Sequence, residues 1–347
     1  MMGVGLAVGL LGCQATTEVR ITGGDTPQPD AQPMPDAAPT VMDATIDAIS
    51  DAMPLDADAM SPPRDPSAIG PFTVENLSAR VPTRSFPDVG VELFVPEGLG
   101  EIPLVMFTTG IFVGLDGYRG LGTYLASHGF AVGFPVQICG VVNCQIQALA
   151  NQTVEVAESL VSVADFGSGV SSVGYMGHGV GASIAMTAAS NGSGGAAVLA
   201  LLPNNLSDPR SAGFNVNYPD LRERVPSLGP TGLLGARGGV NCISSERDSD
   251  RLVPFVLDLP QHVYWRWQES GVTWVDVLSE PLACDDLCER VCLSPSEQYT
   301  EFHQSVKTFM VAFFAQALLG EDMEAWLNPD EDSILSRFGW IASGSEG

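Results

Sequence analysis

The sequence predicts an α/β domain built on a doubly wound, mostly parallel sheet flanked by helices. Three observations carry that prediction. From Pro71 onward, apolar runs of strand length alternate with longer helical stretches, the order expected of strands threaded by covering helices. Several runs are apolar on both faces, as the buried strands of a parallel sheet must be. No second boundary is visible after Pro71, so one domain is expected over residues 71–347.

Taken in chain order, the expected strands begin with "VELFV" (Val91–Val95) and "PLVMFTT" (Pro103–Thr109). A helix over Tyr118–Ser127 follows, then a strand in "FAVGFPV" (Phe130–Val136) and a helix over Asn151–Ala164. "SVGYMG" (Ser172–Gly177) is the next strand and Val180–Ser190 the next helix, before "AAVLALL" (Ala196–Leu202) and "TGLLGA" (Thr231–Ala236). Val253–Glu269 reads as a helix, "TWVDVL" (Thr273–Leu278) as the last strand, and Glu297–Leu319 as the last helix.

The chain before this domain divides in two. Residues 1–13, "MMGVGLAVGLLGC", form an apolar run too short to span a bilayer, resembling the core of an export signal. "LLGC" looks like a bacterial lipobox, which would make Cys13 the acylated residue and give the protein a membrane anchor. No Lys or Arg precedes Cys13, a departure from the usual basic start. The alternative is a plain secretory signal or a chance apolar run. Gln14, not being Asp, is compatible with outer-membrane sorting in that group. Residues 14–70 are dense in Pro, Ala and Asp, and no aromatic residue occurs there. Such a stretch buries too little apolar area to offset its ordering entropy and reads as an extended tether.

Charge excludes some partners. Forty-one acidic side chains face 15 basic ones, of which only Lys307 is lysine, for a net charge of −26. Such a surface repels phosphate backbones, so nucleic acid is not an expected partner. Besides Cys13 there are six cysteines: Cys139, Cys144, Cys242, Cys284, Cys288 and Cys292. In an exported chain an even number favours disulfides. A metal is the rival, because the last three recur every four residues, but the spacing is not that of zinc sites and no His accompanies it. No metal and no cofactor is expected. Cys139 and Cys144 form one expected short-loop pair; Cys242 pairs with one of the other three.

"LASHGFAVGFPV" (Leu125–Val136) and "VGYMGHGVGASIAMTAASNGSGGAAVLALLP" (Val173–Pro203) resemble the α/β-hydrolase family. Within it they are most similar to the dienelactone-hydrolase, chlorophyllase and cutinase-like polyester hydrolase group. The similarity covers most of Phe72–Leu319 and loosens after Pro203. It implies a nucleophile elbow, a strained strand-to-helix turn whose tip is a serine. Here the tip is Gly179. It also implies oxyanion-hole amides at Ile111, after "FTTG", and at Val180.

Gly177, Gly181 and Ala182 keep the small residues the turn needs, but without an Oγ at position 179 no acyl-enzyme can form. Glycine also relieves the strain of the tip, of order 1–3 kcal/mol for other residues. A bare tight turn is the plainer reading of Gly-x-Gly-x-Gly; a phosphate loop is a poor one, because the spacing is wrong. Ser183 lies a helical turn beyond and His178 just before, and neither is expected to act as nucleophile.

The other catalytic positions look equally bare. The resemblance implies an Asp soon after "TGLLGA", where Asp248 and Asp250 stand rather far along, and a His after "TWVDVL", where none occurs. The four histidines are His128, His178, His262 and His303. His303 is the least bad candidate, though an exposed helical residue is the expectation. Some polyester hydrolases of the group join the acid and base loops by a disulfide, which here would be Cys242–Cys284. Their offsets from those cysteines place the acid at Ser245 and the base at Leu282. Where those enzymes carry aromatic binding residues, this chain has Ile111 and Asn204; Trp265, Trp267 and Trp274 are core or surface aromatics.

The sequence therefore predicts an exported cell-envelope lipoprotein, at the outer membrane or cell surface, whose domain is a pseudo-hydrolase. Its retained role would be to bind a small molecule or protein in the old cleft, or to act as an envelope scaffold. The alternative is an active carboxylic-ester hydrolase of esterase, lipase or polyesterase type with a rearranged site. A sugar- or polymer-binding module would require an aromatic platform.

Overall fold

The computed structural model describes residues 64–86, 89–110, 113–137, 145–162, 169–192, 196–203, 220–236, 246–267, 272–280, 295–327 and 340–342, all within one compact unit, Pro62–Gly347. In chain order they form β1 (Val74–Val81), β2 (Val89–Pro96), β3 (Ile102–Thr108), a 3-10 turn (Leu115–Tyr118), α1 (Arg119–Ser127) and β4 (Ala131–Pro135). Then come α2 (Ile146–Ser162), β5 (Val170–His178), α3 (Val180–Asn191), β6 (Ala197–Leu201), α4 (Leu221–Arg224) and β7 (Thr231–Ala236). The last elements are α5 (Glu246–Leu257), β8 (His262–Trp267), a 3-10 turn (Trp274–Val277), α6 (Tyr299–Leu319), α7 (Glu324–Leu327) and β9 (Trp340–Ala342).

The sheet runs β1-β2-β4-β3-β5-β6-β7-β8-β9. The pairings from β4 through β8 are parallel, whereas β1–β2, β2–β4 and β8–β9 are antiparallel. This is an α/β fold with a mostly parallel sheet and flanking helices, as the alternating pattern implies. Strand periodicity splits the core into two layers. Val105 and Phe107 of β3 face α1 and α6, together with Met176, Leu199, Leu234 and Trp265. Leu104 and Met106 face the other layer, with Tyr175, Val198, Leu233 and the buried faces of α2, α3 and α5. Both sides of the central strands are therefore apolar because both are covered.

Three elements differ from the sequence expectation. The stretch expected as one helix over Val253–Glu269 is a helix that ends at Leu257 and a strand, β8, beside β7. Pro260 blocks helix continuation, and "HVYWRW" buries Tyr264, Trp265 and Trp267 along the sheet. "TWVDVL" is not a strand: its centre is a 3-10 turn closed by a capping box between Thr273 and Asp276, with Val275, Val277 and Leu278 buried. β1 has no counterpart in the apolar pattern, because this edge strand exposes most of "VENLSARV".

Candidate functional site

Gly179 is the single residue between β5 and α3, at φ 58° and ψ −117°. That positive φ is unfavourable for a side-chain-bearing residue. Its N–H donates to the Leu201 carbonyl at the end of β6, 2.9 Å away. The turn is held from below by close backbone packing. A Cβ on Gly177 would lie 2.2 Å from the Gly181 carbonyl oxygen, and one on Gly181 would lie 2.1 Å from the Thr108 oxygen. Thr108 completes the lock by donating its hydroxyl to the Gly181 carbonyl, 2.6 Å away. The chain thus forms a sharp strand-to-helix turn whose tip carries no functional group.

Beside the tip lies a buried polar relay. The Gly110 N–H donates to the Tyr118 hydroxyl oxygen at 2.9 Å, and that hydroxyl lies 2.8 Å from His178 Nδ1. Burial raises the Tyr118 pKa far above its ordinary value and lowers that of His178 to about 3. Both groups are therefore neutral at physiological pH, so the Tyr118 hydroxyl donates to His178 Nδ1 while accepting from Gly110. The relay ties the loop after β3 to the residue preceding the tip. Nothing in the sequence joins Tyr118 to His178, which stand 60 positions apart. The nearby Leu202, buried after β6, holds the one positive φ (44°) among described non-glycine residues.

Val180 opens α3, and the helix has no side-chain cap at Gly179. The positive end of the α3 dipole therefore abuts the tip. Ser183 is completely buried, so it cannot meet a substrate above the turn. Ile111, Ser245 and Leu282 lie outside the described residues, as do Cys13, Cys139, Cys144, Cys242, Cys284, Cys288 and Cys292.

Of the four histidines, His178 directly precedes the tip and is tied to Tyr118. β8 ends at Trp267, and no His occurs between it and Tyr299, where α6 begins. His262 starts β8, at the opposite end of the strands from Gly179, with Nδ1 2.6 Å from the Leu259 carbonyl. A cavity of about 390 Å³ opens there, lined among others by Pro230, Pro260, His262, Phe313 and Gln316. It is remote from the elbow in the fold.

His303 corrects an expectation: it is 7% exposed, not a surface residue. Its ring stacks on Tyr299 and its Nδ1 lies 3.2 Å from the Val277 carbonyl. Burial, helped by the Lys307 charge, lowers its pKa to about 4, which leaves a weak base. Trp265 and Trp267 are core residues and offer no binding platform.

Among the described residues no group of three or more His, Cys, Asp or Glu side chains could hold a metal ion. No helix there is long and apolar enough to cross a membrane. The sequence matches no protein-family model and no curated protein, so the geometry around Gly179 alone carries the functional reading.

Proposed function

We propose that this protein is an α/β-hydrolase-fold pseudoenzyme that binds a small molecule or protein at the Gly179 turn without serine-hydrolase activity. The observation that carries the reading is the tip itself: a strand-to-helix turn at φ 58° with no side chain. The hydrolase resemblance is supported by the position of that turn between β5 and α3, and by the loop that leads from β3 toward α1. In hydrolases of this type the nucleophile and the two oxyanion amides come from those places. The absence of His between β8 and α6 supports loss of the base. The protein is proposed to be exported and held at the cell envelope by acylation of Cys13, with its remaining cysteines in disulfides.

The test is a fluorophosphonate probe together with short p-nitrophenyl esters. No labelling and no turnover above a buffer blank are expected. Robust turnover abolished by a serine-directed inhibitor would overturn the pseudoenzyme reading. In the same cells, Cys13→Ala should move the protein out of the membrane pellet; unchanged lipid labelling would remove the anchor from the proposal.

A further inference from the structure

The segment 64–70, which composition assigns to the tether, is bound to the domain in a distinctive way. Its backbone carbonyls are taken by side chains of α1, α6 and the residue capping α1. Tyr124 Oη lies 2.8 Å from both the Pro66 and Ala68 oxygens, Gln304 Nε2 donates to the Ser67 oxygen at 2.8 Å, and His128 Nε2 lies 2.9 Å from the Ala68 oxygen. In return the Gly70 N–H donates to Ser127 Oγ at 3.0 Å. Arg64 closes the start of the segment. Its guanidinium makes a two-point contact with Glu321 at 2.8 and 2.7 Å, donates to the His128 carbonyl and lies over the Phe130 ring. A bidentate pair of this kind is stronger and more directional than an ordinary surface pair.

His128 lies beneath this segment and is only 1% exposed. A neutral ring with its hydrogen on Nε2 suits the site, because it donates to Ala68. Among the described residues its Nδ1 has no partner. A second proton would sit on that nitrogen with no acceptor, and would add positive charge close to Arg64. The other groups facing the ring are Asp65 and Glu321, both acidic, and the Tyr124 ring, with Lys307 beyond it. They do not offset the cost of burying a cation without a hydrogen-bond acceptor.

We propose that residues 64–70 form a proton-released clasp: at neutral pH they are locked onto α1 and α6, and proton uptake by His128 lifts them off while the rest of the domain stays folded. This inference is independent of the reading of the Gly179 turn. Burial, with Arg64 assisting, lowers the His128 pKa to about 4, against the hydrogen bond to Ala68 and the nearby acids, which raise it. The ordinary value is 6.5. Closure is therefore complete above pH 6.5 and weakens about tenfold per pH unit below it, until the folded value is reached. Opening converts seven residues from part of the domain into about 24 Å of extended chain. It would make the reach of the domain from any attachment before residue 64 depend on pH.

Hydrogen exchange of the full chain, corrected for intrinsic rates, tests this on the amides of Ser67, Ala68, Gly70 and Phe72. All four are hydrogen-bonded in the closed clasp. From pH 6.5 to 4.5 their protection should fall about fortyfold, to a level well below that of α3, whose amides exchange only as the whole domain unfolds. His128→Gln, which retains a donor for Ala68 but does not titrate, should give a flat profile, whether the clasp is then held closed or left open. A flat wild-type profile overturns the proposal. So do clasp amides that exchange no faster than those of α3 at pH 4.5, or a His128→Gln profile that follows the wild type.

Discussion

The Tyr118 hydroxyl lies 2.8 Å from His178 Nδ1 and accepts the Gly110 N–H, so one buried phenol connects the loop after β3 to the residue before the elbow tip. Both rings are fully buried, which makes the bond expensive to break. Tyr118→Phe should keep the packing against Phe107 but leave the Gly110 N–H and His178 Nδ1 unsatisfied. An unsatisfied buried polar group costs about 1–3 kcal/mol. A fall of that size is expected in urea unfolding, and an unchanged midpoint would mean that water replaces the phenol.

The elbow's close approaches separate two kinds of glycine. Gly177→Ala would press a methyl group to within 2.2 Å of the Gly181 carbonyl oxygen, and backbone cannot yield there as a flexible side chain would. Gly114→Ala meets nothing within 4 Å. The first should fold poorly or lose several kcal/mol, as severe steric conflicts in cores do, and the second should stay within about 0.5 kcal/mol of wild type. Equal thermal midpoints for the two variants would contradict the packing of β5 against α3.

Besides His128, two histidines deep in the domain weaken it in acid. The folded pKa of His178 is about 3 and that of His303 about 4, against 6.5 for the ordinary side chain. Below pH 6.5 the unfolded chain binds more protons than the folded one, so stability falls as pH falls and is lost progressively toward the folded values. Each group supplies a slope of up to about 1.4 kcal/mol per pH unit, or about 3 for the pair. Denaturant midpoints should be nearly flat from pH 8 to 7 and drop steeply from 6 to 4.5. A midpoint that rises on acidification would show that these rings are protonated in the folded state.

How much of this was legible in the sequence depended on the kind of interaction. "TGLLGA" and "PLVMFT" declare themselves because both faces of those strands are covered, and Gly177, Gly179 and Gly181 mark the turn by spacing alone. "VENLSARV" does not, since an edge strand with one exposed face has little apolar pattern. "HVYWRW" and "TWVDVL" exchange roles because short apolar runs fit a strand, a helix or a turn equally well until Pro260 and the Thr273–Asp276 cap are weighed. Residues 64–70 carry no apolar pattern in the sequence, because they are held through backbone carbonyls and one arginine fork, neither of which leaves a hydrophobic signature. The Tyr118–His178 relay and the burial of His303 are products of tertiary contact and have no local trace.

A hydroxyl added at the turn tests the proposed absence of a nucleophile against the proposed absence of the whole mechanism. Gly179→Ser would place a hydroxyl on the tip, beside the uncapped start of α3. If the rest of a hydrolase's machinery were present, ester hydrolysis should appear. None is expected, because a serine hydroxyl needs a positioned base, which supplies about 10²–10⁴-fold. No His lies between β8 and α6. His178 faces Tyr118 through Nδ1 and is fully buried, and His303 is turned to the Val277 carbonyl. The variant should also lose about 1–3 kcal/mol, the cost of holding a non-glycine residue in an unfavourable backbone region. A progress curve with a p-nitrophenyl ester and a urea midpoint for both proteins decide the matter. Brisk hydrolysis would reveal an acid–base pair in the loops after β7 or β8, and an unchanged midpoint would mean that position 179 tolerates a side chain at φ 58° without strain.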